Sequence, residues 1–179
     1  MEEEQIEYYK KAGEAAVAAK RLARKLIKPG FSFLELGNRC EQEILNNGAK
    51  LSFPINISLN EIAAHYSPPI GDKTVIPEKG LLKIDVGTHV NGYIADTAIT
   101  INLDNNPNFQ KYIIAAEAGL EAAISLMKPG TKLYELGEAI AGKIVNYGLK
   151  PIYNLGGHEL KRYNLHAGPF IPNYRAQTL

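Results

Sequence analysis

The sequence predicts a mixed α/β (α+β) fold that is built from two related halves. Three observations favour this fold: a repeat with an offset of 100 residues, two helical patterns in each half, and a clear β-hairpin in the first half. The clearest matches are Lys28-Pro29-Gly30 with Lys128-Pro129-Gly130, and Glu35-Leu36-Gly37 with Glu135-Leu136-Gly137. We therefore place one domain over residues 1–179, with repeat units at about 5–102 and 105–179.

Each half begins with an amphipathic helix. Apolar residues recur at three- and four-residue spacing over 6–26, and again over 112–126, which is the stripe of a helix with one buried face. The Lys-Pro-Gly segment ends each of these helices, because proline lacks an amide proton and clashes with the preceding turn. A second helix follows in each half. We expect Ser32 to cap the first of these, and Gly48 and Gly148 to take the left-handed conformation that follows a helix end.

Strands are expected after the second helix of each half. In the first half they are Leu51 to Leu59 and a hairpin from Leu82 to Ile101. Asn91-Gly92 is the strongest short signal for a two-residue type I′ turn, because both central residues need a positive φ. In the second half we expect a strand from Ile152 to Leu155, followed by a stretch rich in glycine and histidine.

The hairpin carries one aspartate on each strand. The turn predicts the cross-strand pairs Val90–Tyr93, Gly87–Asp96 and Asp85–Ala98. Asp85 and Asp96 then project from the same face as diagonal neighbours, with roughly 7–8 Å between their backbones. Two carboxylates this close repel each other unless a cation lies between them, and the small neighbours Gly87 and Ala98 would leave room for one. The alternative is a pair of solvated aspartates on a half-exposed hairpin.

The other face of the hairpin is apolar and is expected to join the core. Its residues are Leu82, Ile84, Val86, Val90, Tyr93, Ile99 and Ile101.

Composition excludes several classes of protein. The net charge of +1 gives no electrostatic reason to expect nucleic acid or an anionic membrane as a partner. The opening MEEEQIEYY has no apolar stretch of the kind found in a signal peptide, and no apolar run reaches the length needed to span a membrane. Cys40 is the single cysteine and is expected to be a buried, inert thiol. Together these features favour a reducing cytoplasm.

Three histidines complete the set of candidate site residues. His65 follows the first strand, and His158 and His166 lie in the glycine-rich stretch of the second half. Each of them also fits a structural or surface role. Carboxylate oxygens combined with imidazole nitrogens would suit Mn, Fe, Co or Zn rather than Ca. His89 lies on the aspartate face beside the turn, where we expect it to be exposed to solvent.

These segments resemble the type 2 methionine aminopeptidases in their short, archaeal-like form. The matching segments are Phe53-Pro54, Ser58-Leu59-Asn60, Ala63-Ala64-His65-Tyr66, Gly71-Asp72, Lys83-Ile84-Asp85-Val86-Gly87-Thr88-His89, Asp96-Thr97, Gly157-His158-Glu159 and Leu165-His166-Ala167-Gly168. The resemblance covers nearly the whole chain. It implies a "pita-bread" fold with internal pseudo-twofold symmetry, which agrees with the repeat.

The resemblance also implies a site with two divalent metal ions (Co, Mn, Fe or Zn). By position, Asp85 looks like a ligand of one metal, Asp96 like the bridging ligand and His158 like a ligand of the second. His65 looks like a catalytic residue that also binds substrate, and His166 like a second substrate-binding residue. The implied substrate is the N-terminal methionine of a nascent polypeptide. Such a substrate implies proximity to the ribosome, although no ribosome-binding motif is visible.

The repeat also predicts a second hairpin near 181–201. We therefore expect a C-terminally truncated form, lacking two glutamate ligands that the family supplies and impaired as a hydrolase on its own. Two alternatives stay open. One is a non-catalytic pita-bread binding protein, and the other is a hydrolase that resembles prolidase or aminopeptidase P.

Overall fold

The computed structural model describes residues 1–176 and contains four helices and five strands in that range. In chain order they are α1 (Glu3–Leu26), α2 (Phe33–Asn46), β1 (Lys50–Leu59), β2 (Leu81–Val90), β3 (Tyr93–Asn102), α3 (Pro107–Leu126), α4 (Leu133–Val145), β4 (Gly156–His158) and β5 (Phe170–Pro172). The last three positions of the expected unit 105–179 lie outside the described residues.

Contacts between residues divide the chain into two compact units. The first contains Met1–Asn106 together with Leu160–Leu165, and the second contains Pro107–Glu159 together with the segment that begins at His166. This division follows spatial contacts, whereas the repeat follows sequence similarity. The repeat boundaries therefore stay a prediction.

The expected helices and their end signals are confirmed, but the expected buried face of α3 is only partly found, since Tyr112 and Ala116 are exposed. α1 ends at Leu26 and α3 at Leu126, each just before its Lys-Pro-Gly segment. Ser32 caps α2, since its Oγ accepts a hydrogen bond of 3.3 Å from a backbone amide in the first turn. Gly48 and Gly148 have φ values of 74° and 69°, so both are left-handed as expected.

The first unit is built on an antiparallel sheet in the order β1-β2-β3. α1 packs on β2 and β3, and α2 packs on β1. The alanine-rich stripe of α1 lets this helix lie close to the sheet, and Ala12, Ala16 and Ala19 are fully buried. The largest buried side chains of this core are Phe33, Leu36, Ile44, Ile55, Ile57, Ile76, Leu82, Ile84 and Val86.

The expected core face of the hairpin is confirmed for its aliphatic members. Leu82, Ile84 and Val86 are fully buried, and the remaining aliphatic residues of that face are partly buried against them. Tyr93 instead stacks on Tyr8 of α1, with ring centroids 5.5 Å apart.

Cys40 lies on the buried face of α2, as expected. Its Sγ lies 3.8 Å from the carbonyl oxygen of Ala19 on α1. Burial is the main reason that the pKa of this thiol is raised to about 12.

The second unit contains α3, α4 and a two-stranded antiparallel sheet of β4 and β5. The strand expected over Ile152 to Leu155 is wrong, because β4 begins only at Gly156. The amide of Asn173 explains this difference. Its Nδ2 donates to the carbonyl oxygens of Ile152 at 3.4 Å and Leu155 at 2.8 Å, so a side chain takes the place of a strand partner.

The two helices of the second unit also expose several large apolar residues, among them Leu120, Ile124 and Val145. No helix in the described part of the chain is long and apolar enough to cross a lipid bilayer.

Candidate metal centre

The hairpin forms with the register that its turn chemistry predicts. Asn91 and Gly92 have φ values of 52° and 85°, as a type I′ turn requires. The observed partners include Val90 with Tyr93, Gly87 with Asp96, and Asp85 with Ala98. Because side chains alternate between faces, the carboxylates of Asp85 and Asp96 share one face as diagonal neighbours. This part of the sequence prediction is confirmed.

The two carboxylates interact unfavourably when both are charged. The pKa of Asp85 is raised to about 6, first by burial and then by the negative charge of Asp96. Burial penalises the charged form, and a like charge nearby adds to that penalty. A cation bound between the two carboxylates would offset both the cost of burying the charge and the repulsion between the like charges. This pair of residues therefore fits a divalent metal ion.

The space beside the carboxylates differs from the expectation. Gly87 leaves no room for a ligand, since the ring of Phe53 and the hydroxyl of Ser52 occupy the position where its side chain would lie. The irregular pairing of β1 around Phe53 accompanies this close approach, with register shifts on both sides of that residue. Ala98 is exposed, so open space lies on its side of the pair.

His65 is the histidine that the first unit places near the aspartates. It lies in the connection between β1 and β2, with its side chain exposed and its backbone at a φ of 70°. Its positive charge is close enough to Asp85 to oppose the rise in the pKa of that carboxyl. The first unit therefore places one imidazole within electrostatic range of Asp85.

Lys20 is a charged residue that sequence reasoning missed, and it packs on the hairpin from the face opposite to the carboxylates. Its Nζ donates a hydrogen bond of 2.7 Å to Oγ1 of Thr97, the residue that follows Asp96. Burial lowers the pKa of Lys20, while the negative charge of Asp85 acts in the opposite direction. The sequence does contain a signal for this residue. Lys20 lies on the edge of the alanine-rich stripe of α1, where a charged side chain needs a polar partner.

The second unit brings the other two histidines together. The rings of His158 and His166 meet edge to face, with centroids 4.5 Å apart. His158 ends β4, and Gly156 in the same strand allows the ring of Phe170 and the backbone of Ile171 to approach closely. Glycine at this position therefore permits a close approach of neighbouring backbone.

His89 is not exposed to solvent as expected. It is partly buried, its ring lies 5.6 Å from that of Tyr163, and its Nδ1 accepts a hydrogen bond of 3.1 Å from the amide of Gly92. Burial lowers the pKa of His89, which favours the neutral ring that can accept this bond. Its observed role is to support the turn.

The candidate residues are thus distributed over both units. Asp85, Asp96 and His65 belong to the first unit, and His158 and His166 belong to the second. Across residues 1–176, no group of three or more histidine, cysteine, aspartate or glutamate side chains is arranged to hold a metal ion. The roles assigned to these five residues stay predictions.

The fold and the carboxylate pair are typical of a class of metal-dependent peptidases, and comparison with known proteins agrees with this class. Residues 7–179 match the metallopeptidase family M24, and the chain belongs to that family. The structure resembles a methionine aminopeptidase from Thermotoga maritima, with a TM-score of 0.91 and 26% identity over 100% of this chain and 74% of that one. It also resembles a prolidase from Pyrococcus furiosus, with a TM-score of 0.83 and 25% identity over 99% of this chain and 53% of that one. The expected pita-bread fold is confirmed.

Curated relatives narrow the class further. A protein of Pyrococcus horikoshii named methionine aminopeptidase is 49% identical over 162 residues, covering 90% of this chain and 54% of the relative. Another of that name from Methanothermus fervidus is 42% identical over 184 residues, covering 97% of this chain and 98% of the relative. The expected resemblance to methionine aminopeptidases is confirmed. The chain spans about half the length of most of the curated relatives that it matches.

Proposed function

We propose that this chain takes part in removing the N-terminal methionine from nascent polypeptides by metal-dependent peptide hydrolysis. The observation that carries the proposal is the pair Asp85 and Asp96, held on one face of a hairpin where their negative charges are unfavourable without a cation. The relatives named methionine aminopeptidase, at 41–49% identity, supply the substrate class. The prolidases with the same fold are less similar, at about 25% identity.

The proposed ligands are oxygen and nitrogen donors suited to Co, Mn, Fe or Zn. Asp85 would bind one ion, Asp96 would bridge two ions, and His158 would bind the second. When bound, two such ions polarise the scissile carbonyl and lower the pKa of a water molecule. His65 and His166 would bind the amino end and the carbonyl group of the substrate, and so orient the bond that is cleaved.

We place this reaction in the cytoplasm, in keeping with the single buried cysteine. Its partner is then the emerging end of a polypeptide. Proximity to the ribosome would give access to such ends, and neither nucleic acid nor a membrane has a part in the proposal.

A metal titration tests the carboxylate pair directly. We expect calorimetry to detect binding of Mn(II) to the wild-type chain, and Asp96→Asn to weaken it at least about tenfold, because even residues that only orient metal ligands contribute that much. Asp104→Asn is the matched control, since Asp104 lies beyond β3 and its Oδ1 accepts a long hydrogen bond of 3.5 Å from the amide of Gly80. Equal binding by the two variants would contradict the assignment.

The same variants separate metal binding from general stability. Without metal, Asp85→Asn should raise the thermal midpoint, because it removes one of two partly buried like charges. Addition of Mn(II) should raise the midpoint of the wild type and not that of the variant, since a ligand stabilises only the state that binds it. A rise in both proteins would show that the metal binds elsewhere.

Cleavage of a Met-Ala-Ser peptide by the same sample tests the reaction. Cleavage that depends on Mn(II) and is lost in Asp96→Asn would establish the aminopeptidase activity in this chain. Cleavage of proline-containing dipeptides, and not of Met-Ala-Ser, would favour the prolidase alternative. An absence of metal binding would favour the non-catalytic binding protein.

A further inference from the structure

His65 is held in a left-handed backbone conformation, which is uncommon for residues other than glycine. It lies in the segment from Asn60 to Gly80, called here the His65 loop, which connects β1 to β2. A φ of 70° is costly for a residue with a side chain, so such a conformation persists only where its surroundings impose it. Asn60 closes the base of the loop, because its backbone amide donates to Leu81 at 2.9 Å and its side chain accepts from Leu81 at 2.9 Å.

The residue after His65 is fixed to the core of the first unit. The carbonyl oxygen of Tyr66 accepts a hydrogen bond of 2.7 Å from the amide of Ile57 in β1. The ring of Tyr66 packs edge-on against that of Phe33, which is fully buried, and the two ring centroids are 6.4 Å apart. These contacts fix the backbone on the C-terminal side of His65.

The far side of the loop is fixed independently. The amide of Phe33 donates a hydrogen bond of 3.0 Å to the carbonyl oxygen of Thr74, and Ser32 forms a β-bridge with Val75. The start of α2 therefore holds this part of the loop against the same core.

Asp72 joins the two fixed sides. Its Oδ2 accepts a hydrogen bond of 2.9 Å from the hydroxyl of Tyr66, and its Oδ1 accepts from the amide of Thr74 at 2.8 Å and from its hydroxyl at 2.6 Å. Hydrogen bonds from Thr74, and then from Tyr66, lower the pKa of Asp72. The carboxylate is therefore ionised at neutral pH, and its hydrogen bonds are of the stronger, charge-assisted kind.

We propose that Tyr66 and Asp72 are positioning residues for His65, and that the hydrogen bond between them holds His65 in its left-handed conformation near Asp85. The inference rests on the proposed function, in which His65 contacts substrate next to the metal site. It gives a role to Tyr66 and to the Gly71-Asp72 segment, which the sequence analysis singled out without assigning one.

Nuclear magnetic resonance on the whole 179-residue chain tests this role. Tyr66→Phe removes the hydroxyl and keeps the ring that packs on Phe33, and Asp72→Asn keeps the size of the side chain and removes its charge. Tyr9→Phe is the matched control, because it removes a tyrosine hydroxyl from α1, outside the loop. The first readout is the pair of Cα and Cβ chemical shifts of His65, which report its backbone conformation without any metal.

The second readout uses Mn(II) alone as a paramagnetic probe. The chain has only four histidines, so the imidazole signals can be assigned one by one. The broadening of His65 is divided by that of His89, which lies in β2 with Asp85 and does not move with the loop. Amide hydrogen exchange across the loop provides a separate measure of how often it opens.

We expect both loop variants to shift the His65 signals away from left-handed values and to reduce its relative broadening by Mn(II). Amide exchange in the loop should rise about fivefold, the equivalent of one net hydrogen bond of about 1 kcal/mol, with no change in Tyr9→Phe. Unchanged His65 shifts in Tyr66→Phe and Asp72→Asn would overturn the inference, whether or not exchange rises. If Mn(II) broadens neither His65 nor His89 in the wild type, the proposed metal site fails instead, and the His65 shifts still decide the role of Tyr66 and Asp72.

Discussion

The helix pair α1–α2 and the helix pair α3–α4 have the same spacing in sequence, yet they bury very different shares of their apolar residues. Ala12 and Ala16 in α1 are fully buried. Their equivalents 100 residues later are Tyr112, which is 48% exposed, and Ala116, which is also exposed. Equal helical patterns therefore do not produce equal cores.

The difference lies in the sheets. The first pair packs on a sheet of three strands with ten residues each, whereas the second unit has two strands of three residues. Most of the stability of a helix in a protein comes from packing its apolar face rather than from its intrinsic preference. We therefore expect the first unit to carry most of the stability of the described structure, and the following substitutions test this at matched positions.

Matched leucine truncations give the largest expected contrast. Leu82→Ala removes a fully buried side chain from β2 and should lower the free energy of unfolding by about 2–5 kcal/mol. Leu120→Ala removes a side chain of α3 that is 60% exposed and should change it by no more than about 0.5 kcal/mol. Urea unfolding followed by circular dichroism measures both. A similar loss in the two variants would mean that the exposed face of α3 is covered in solution.

Two glycines at equivalent positions should show a smaller difference in stability. Here the second unit should be the more sensitive of the two. A side-chain carbon at Gly137 in α4 would collide with the carbonyl oxygens of Tyr174 and Pro172, whereas at Gly37 in α2 its nearest neighbour is the end of Ile57 at 4.0 Å. We expect Gly137→Ala to cost about 1–3 kcal/mol through this overpacking. Gly37→Ala should be neutral or stabilising by up to about 1 kcal/mol, because alanine favours a helix.

Amide hydrogen exchange in α4 and β5 measures the first of these changes, and urea unfolding measures the second. If Gly137→Ala leaves exchange in both elements unchanged, the close contact between α4 and the residues after β5 is absent in solution.

Cysteine substitutions at equivalent positions should change stability least. They should still differ clearly in the rate at which a thiol reagent modifies them. Burial raises the pKa of Cys40 to about 12, so a thiol reagent should modify it only when the core opens. In a Cys40→Ala background, Ile140→Cys places a thiol at the equivalent, half-buried position of α4. It should react at least about tenfold faster, because opening of a packed core costs several kcal/mol. Equal rates would contradict the difference in packing.

The sign of the pH dependence follows from the same thiol. An unfolded cysteine ionises near its ordinary pKa of 9.0, while the folded thiol keeps its proton to about 12. As the pH rises through this range, the unfolded chain binds fewer protons than the folded chain, so stability falls. Cys40→Ala should remove this part of the alkaline loss, and midpoints of unfolding measured at several pH values would detect it.

Local sequence signals predicted the parts of the structure that depend on neighbours in sequence. Asn91-Gly92 fixed the turn, the turn fixed the register, and the register placed Asp85 and Asp96 on one face. The caps at Ser32 and Gly48 were accessible for the same reason, since each depends on residues within one helical turn.

Features that depend on packing between distant segments could not be predicted from the sequence. The position of Phe53 over Gly87 requires the irregular pairing of β1, which no periodicity reveals. The strand expected at Ile152 to Leu155 failed because Asn173, far along the chain, takes up its carbonyl groups. The hydrogen bond between Tyr66 and Asp72 links side chains of an irregular loop, where neither strand nor helix spacing applies.

The type I′ hairpin has a consequence for the order of folding. Asp85 and Asp96 are separated by only eleven positions, and the turn between them is local. A hairpin of this kind can form within about 1–10 μs, long before contacts between distant segments such as α1 and β3. The carboxylate pair therefore lies in a part of the chain that can form early, and its geometry is encoded in one short, continuous segment.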